Sequence, residues 1–203
     1  MPSYAYYNVS TEDVTTLVSA NSSVASVASD YANNPDGIQE YLESPKSITI
    51  CNSDASGDDI TVELYIASAV STNITDTGVN VNEIANYITS SSVTLTVDGT
   101  GATEPVFINE KVYKSDGTLI GTCTDVPSGT SIVFGGGIEA DVLDNTDLYT
   151  GTQYHILHDV VIPGGSTLVL DEAELAYNSN DYHLKFKLST VSGGQIACIK
   201  VVH

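Results

Sequence analysis

Apolar and polar residues alternate along several short stretches of the chain, and a period of two is the mark of half-buried β-strands. Ser47–Cys51 (SITIC) and Ile60–Ala67 (ITVELYIA) both alternate, with the polar cluster NSDASGDD between them. That pattern predicts two strands joined as a hairpin. The block Gln153–His203 predicts four more strands, YHILHDVVI, STLVLD, HLKFKLST and QIACIKVVH, separated by the turns PGG, YNSND and SGG. Within STLVLD, Leu168 and Leu170 are expected on the buried face and Val169 on the other, because successive strand side chains point to opposite sides. Gly164-Gly165 lies between two apolar runs. A phosphate loop wants a basic residue and a helix N-terminus after its glycines. Strand formers follow here, and the next lysine is Lys185. Pro163-Gly164-Gly165 is therefore read as a turn.

Between these blocks, residues 91–150 are dense in short apolar runs and glycine turns, at Asp98-Gly99, Asp116-Gly117, Ser128-Gly129 and Gly135-Gly136-Gly137. Such spacing predicts a small, closed or partly closed β-barrel. Residues 1–44 lack the rhythm. Part of Thr11–Ser29 reads as a short helix with Ser10 as its N-cap, and Val81–Ile88 as one helical turn. The expected fold class is all-β: a β-sandwich of jelly-roll or Greek-key type from residues 45–90 and 151–203, with a small β-barrel inserted at 91–150 and an N-terminal arm over 1–44. Removal of the arm is expected to leave a folded β-protein. Tyr4, Tyr6 and Tyr7 are its natural anchors on a neighbouring subunit, being large and amphipathic.

Length and charge narrow the function. The 203 residues suffice for a real core, and hydrophobic residues make up 41% of them. There are 26 acidic residues against 6 basic ones, all lysine, for a net charge of −20. That balance opposes binding to nucleic acid, which needs Lys and Arg, and to anionic membrane surfaces. The lack of arginine weakens any nucleotide-enzyme reading. No segment is long and apolar enough to span a bilayer. The N-terminus has no basic, apolar signal pattern, so the sequons at Asn8, Asn21 and Asn73 are expected unmodified. Cys51, Cys123 and Cys198 show no CxxC spacing and are read as buried free thiols.

Asn52, Asp54, Ser56, Gly57 and Glu63 nearly match a calcium loop. The flanks are strand-like rather than helical, so a polar hairpin turn is preferred. His155 and His158 lie three apart in a predicted strand and are expected on opposite faces, which argues against joint ligation. No GxSxG elbow is present. Asp171, Glu172 and Glu174 read as a solvated edge. No catalytic, cofactor-binding or metal-binding residue is assigned, and no cofactor is expected.

The segments SITICNSD and ITVELYIAS, joined to YHILHDVVIPGGSTLVLDEAELAYNSNDYHLKFKL, resemble β-sandwich virion structural proteins of tailed bacteriophages, particularly those of marine and cyanobacterial phages. The insert EKVYKSDGTLIGTCTDVPSGTSIVFGGGI is similar to barrel modules of phage head and tail proteins. The resemblance covers residues 45–203. It implies a structural virion component without catalytic activity, a capsid decoration or cement protein. Alternatives are a neck, tail or baseplate adaptor joining tail and fibres, or a sandwich that binds host glycans. The implied partners are major capsid or tail subunits and further copies of the chain. The implied location is the virion, after synthesis in the host cytoplasm.

Overall fold

A computed structural model describes residues 4–20, 45–54, 56–99, 102, 107–188 and 195–203. It is an all-β protein. The first strands are β1 (Tyr4–Val9), β2 (Thr15–Val18), β3 (Ser47–Asn52) and β4 (Ile60–Ser68). Next come β5 (Ile74–Asn80), β6 (Val93–Thr96), β7 (Lys111–Tyr113), β8 (Leu119–Thr122), β9 (Asp125–Ser128), β10 (Ser131–Phe134) and β11 (Asp147–Gly151). The last are β12 (Gln153–Ile162), β13 (Thr167–Asp171), β14 (Tyr182–Leu188) and β15 (Ala197–Val202). The chain divides into two compact units, Met1–Ala69 with Tyr154–His203, and Val70–Gln153.

The first unit is a two-sheet sandwich. One sheet has the order β1-β15-β3-β13 and the other β12-β4-β14-β2. The chain steps from sheet to sheet at each connection except β4 to β12. The pairs are nested: β1 with β15, β2 with β14, β3 with β13 and β4 beside β12. A ribbon folded back on itself and wrapped in this way is a jelly roll. Alternation sets its two faces. Ile48 and Ile50 on β3 and Ala197, Ile199 and Val201 on β15 meet Ile60, Val62 and Leu64 on β4 and Leu184, Phe186 and Leu188 on β14 in one core. Burying each of the larger side chains is worth about 1.5–3 kcal/mol. Leu170 is buried, Leu168 packs against the same core, and Val169 is 61% exposed.

Several expectations are corrected. β3 and β4 are not a hairpin but belong to opposite sheets. The reason is that alternation fixes which face a strand buries, not which strand it pairs with. The segment 1–44 is not an arm over its described part. β1 pairs with β15 from Tyr4↔Val202 to Val9↔Ala197, and β2 pairs with β14. Val9 and Leu17 enter the core, with Ala5, Tyr7 and Val18 packed against it. Thr15–Val18 is strand rather than helix, and Thr11–Asp13 before it is a bend; residues 21–29 of that expected helix, like 30–44 and the SGG turn, lie outside the described residues.

The second unit begins at Val70 rather than 91. Its strands form the sheets β5-β11-β7-β8 and β6-β10-β9 around a separate core that includes Phe107, Ile120, Ile132, Phe134 and Leu148. Hydrogen bonds cross between the sheets where the chain beyond β5 runs beside β6: Asn82 N–H to Thr96 O (2.9 Å) and Asp98 N–H to Asn80 O (3.0 Å). Cys123 N–H to Glu110 O (2.9 Å) extends the β7–β8 ladder and Thr124 N–H to Val133 O (2.8 Å) the β9–β10 ladder, so the chain passes from one sheet to the other between Cys123 and Thr124. Val81, Ala85 and Ile88 make isolated bridges to Val97, Val142 and Ile138, so this stretch is extended and not a helical turn.

Pro163-Gly164-Gly165 turns the chain from β12 to β13, with Ser166 N–H bonded to Pro163 O at 3.0 Å and Gly165 at φ +69°. Gly164 answers a second need. A Cβ there would sit 2.0 Å from Gly57 O, a backbone atom that cannot swing away.

Two outcomes are expected. Gly164→Ala should lower unfolding stability by about 1–3 kcal/mol, the usual penalty of overpacking, measured by urea denaturation. A chain beginning at residue 45 lacks β1 and β2 and should lose the cooperative melt of the sandwich in circular dichroism. A truncated chain with an unchanged melt would contradict the pairing of β1 with β15.

Candidate functional site

The outer face of the sheet β12-β4-β14-β2 gathers the most chemistry. On β4, Ile60, Val62 and Leu64 face the core, which turns Glu63 and Tyr65 outward. On β14, Lys185 and Lys187 alternate with the core residues Leu184, Phe186 and Leu188. Register places Lys187 opposite Glu63 and Lys185 opposite Tyr65. Lys187 Nζ donates to Glu63 Oε1 at 3.3 Å, and both side chains are 14% exposed. Glu63 Oε2 is 3.4 Å from His155 Nε2.

Strand β12 supplies the rest through two slips of its alternation. Ile156 and Leu157 both pack against the core, as do Val160 and Ile162. His155, His158 and Asp159 are left on the outside. Asp159 takes a left-handed φ of +50°, an unusual conformation for a residue with a side chain. The expectation that His155 and His158 face opposite sides is corrected. Their rings stack with centroids 4.6 Å apart and planes at 20°. His155 also lies 5.4 Å from the Tyr65 ring, and His158 Nδ1 is 3.2 Å from Asp159 Oδ2. One donor atom each from Glu63, His158 and Asp159 lies within 4.8 Å of the others.

The calcium-loop pattern is not completed, because its loop residues bond to one another and Glu63 is directed elsewhere. Asn52, 1% exposed, faces inward, donating from Nδ2 to Ile162 O (2.9 Å) and Asp58 O (2.8 Å). Its Oδ1 accepts Asp54 N–H at 3.0 Å. Asp54 Oδ2 accepts Asp58 N–H at 2.9 Å and the Ser56 hydroxyl. Glu63 is directed to the outer face with Lys187 and His155 instead. The loop closes on its own backbone and on the β12–β13 turn.

The tyrosines Tyr4, Tyr6 and Tyr7 are split by alternation. Tyr4 is 52% and Tyr6 72% exposed, on the outer face of edge strand β1, with Lys200 Nζ 4.8 Å from the Tyr4 ring centroid. Tyr7 points the other way, packs against the core and donates its hydroxyl to Leu17 O at 2.6 Å. Asp171 ends β13, and Glu172 and Glu174 lie in the turn that follows. Ala173 N–H, bonded to Asp171 Oδ1 at 2.9 Å, and then Glu174 hold the Asp171 carboxyl below its ordinary pKa. A general acid needs the opposite shift.

Cys51 and Cys198 are directly opposite each other on β3 and β15 and only half-buried, which departs from the expectation of three buried thiols. Cys198 Sγ donates to Asn8 Oδ1 at 3.2 Å. Cys123 is buried in the core of the second unit, and burial pushes its thiol up to about 11. Nearby, Glu110 is 4% exposed, and the Tyr113 hydroxyl is raised by burial and then by the Glu110 charge.

Sequence reasoning did not single out Asp159 or Lys187, and it placed Glu63 in another pattern. The usable signal is the apolar doublet Ile156-Leu157 between the two histidines, which a regular half-buried strand does not contain. The geometry defines an all-β jelly-roll protein with a histidine–carboxylate cluster on one sheet face. Comparison with family models, with curated proteins and with solved structures returns no match.

Thiol accessibility gives a direct check. A disulfide-exchange reagent should titrate Cys51 and Cys198 in the native protein and reach Cys123 only after denaturation, since a protonated, buried thiol is inert. Reaction of Cys123 at the native rate of the other two would contradict the core of the second unit.

Proposed function

We propose that the chain is a structural component of a tailed-phage virion, a capsid decoration or cement protein without catalytic activity. The observation that supports this reading most is the nested pairing of the eight sandwich strands, a jelly roll, which is an architecture of viral capsid and lectin domains. Fold alone does not define function, so the surface has to carry the rest. Edge strand β1 offers two exposed tyrosines to a neighbouring protein. Aromatic anchors of this kind dominate binding at protein interfaces. A net charge of −20 suits a layer that meets solvent and resists nonspecific association. The partners on this reading are major capsid or tail subunits and other copies of the chain.

A neck, tail or baseplate adaptor is the same reading at a different place in the particle. A host-glycan-binding sandwich draws on a separate observation: Tyr154, 50% exposed, meets Tyr182 edge-on with centroids 6.0 Å apart. Aromatic faces are platforms for sugar rings, and this pair is the place to look for one.

Copy number in purified particles distinguishes these. A decoration protein is expected in multiples of the shell symmetry and should bind empty shells in vitro. A low, ring-like copy number would move it to the neck or tail, and binding of the isolated chain to host polysaccharide would favour the glycan reading. The double substitution Tyr4→Ala and Tyr6→Ala should weaken shell binding by about tenfold or more with an unchanged melting temperature. Undiminished binding would remove β1 from the interface.

A further inference from the structure

We propose that Glu63, His158 and Asp159 form a binding site for a divalent transition-metal ion of the zinc class, which pins edge strand β12 to β4. The three side chains come from two neighbouring strands of one sheet. A donor atom from each lies within 4.8 Å of the other two. Small side-chain rotations close such a set onto one ion. His158 Nδ1 and Asp159 Oδ2, 3.2 Å apart, already span a distance close to the edge of a tetrahedron with zinc–ligand bonds of about 2.0–2.1 Å, roughly 3.3 Å.

Imidazole nitrogen with carboxylate oxygen is a donor set that zinc and its first-row neighbours take, whereas calcium and magnesium want oxygen alone. Three protein ligands leave a fourth position for water, as in open zinc sites. His158 and Asp159 are 63% and 62% exposed, so an ion enters directly from solvent.

The surroundings complete the design. Lys187 engages Glu63 Oε1, which leaves Oε2 on the side of β12. His155 acts as a positioning residue: its Nε2 faces Glu63 Oε2 at 3.4 Å and its ring stacks on His158. Partners of this kind orient ligands and tune affinity by about 10–100-fold. The charges also suit a cation. Two carboxylates and one lysine leave a net negative set before any ion arrives, in a chain of net charge −20. An ordinary ion-pair network explains Glu63, His155 and Lys187, but it gives no reason for His158 and Asp159 to turn out together beside them. The two slips in β12 do bring them there, and an edge strand with a broken alternation gains most from a clamp.

The test is isothermal titration of the full chain with zinc chloride in chelator-free buffer. The background is Cys51→Ser with Cys198→Ser, which removes the exposed thiols as competing ligands. One equivalent per chain at micromolar zinc is expected, with a rise in melting temperature that a chelator reverses. Cobalt(II) should give the visible bands of a low-symmetry nitrogen–oxygen site without sulfur charge transfer. His158→Ala and Asp159→Asn should each weaken zinc binding at least tenfold while the metal-free melting temperature stays the same, because both side chains are exposed. His155→Ala should weaken it less than either. Saturable binding that disappears with the thiols, affinity unchanged in both His158→Ala and Asp159→Asn, or no binding at millimolar zinc would each overturn the site.

Discussion

The sandwich depends on one constraint: strands from the first part of the chain pair with strands from the last. Among the described strands, β1 pairs with β15, β2 with β14, β3 with β13 and β15, and β4 with β14 and β12. Among the described residues, no sandwich strand before residue 70 pairs with another strand before residue 70. Neither part can therefore satisfy its ladder alone, and the core forms only when both arrive. Such topology is dominated by long-range contacts and folds slowly for its size. It also sets a requirement on the unit inserted between β4 and β12. Closing a long loop costs entropy, though the cost grows only slowly with length. Here β5 and β11 pair, with Ile74 opposite Gly151, and Thr152 N–H bonds to Asn73 O at 3.1 Å. The second unit thus brings its own ends together, and for the sandwich a stretch of this length behaves like a short turn.

The faces of the strands were legible in the sequence, and their partners were not. Ile48 and Ile50, Leu184, Phe186 and Leu188, and Leu168 with Leu170 all follow from alternation. The same alternation is satisfied by a β3–β4 hairpin or by two strands in opposite sheets. Only the surrounding ladders separate the two. Strand β5, with the sequence ITDTGVN, buries little along its length, so it lacks an apolar face and gave no sign of itself. The start of the second unit at Val70 therefore has no signal in the alternation. Strand β1 was missed for a different reason. Its inward residues Ala5, Tyr7 and Val9 include one small and one amphipathic side chain, which reads as an arm until β15 is placed beside it.

The histidine–carboxylate cluster was hidden by the rule that located the strands. Regular alternation sends His155 and His158 to opposite faces. Ile156-Leu157 breaks the period, and Asp159 at positive φ breaks it again. Irregularity of this kind collects at sheet edges, where a strand has one neighbour and is free to re-aim its side chains. Glu63 was legible as an outward residue of β4, but its relation to β12 depends on the order of the sheet. Signals that lie in one strand were readable, and a constellation that spans two strands was not.

Charge placement links the sheet faces to the surface as a whole. The chain has 6 basic residues to offset 26 acidic ones. Three of the six, Lys185, Lys187 and Lys200, point away from the sandwich core on β14 and β15, and Lys185 is buried there. Lys187 meets Glu63, and Lys200 lies over the Tyr4 ring. Cations are thus concentrated on the sheets, where neighbouring strands hold them at fixed separations, rather than scattered through the acidic loops. A partly buried pair such as Glu63–Lys187 is screened less by salt than a loop pair would be. The remaining acids repel one another across the surface, a repulsion that weakens as salt rises. Any partner must therefore bring its own positive charge or meet the protein where it is least acidic. Strand β1, with Tyr4, Ala5, Tyr6, Tyr7, Asn8 and Val9, has no charged residue of its own and borders the lysine of β15. The edge that presents the exposed tyrosines thus sets a low electrostatic barrier to association, as does edge strand β2, TTLV, beside the lysines of β14.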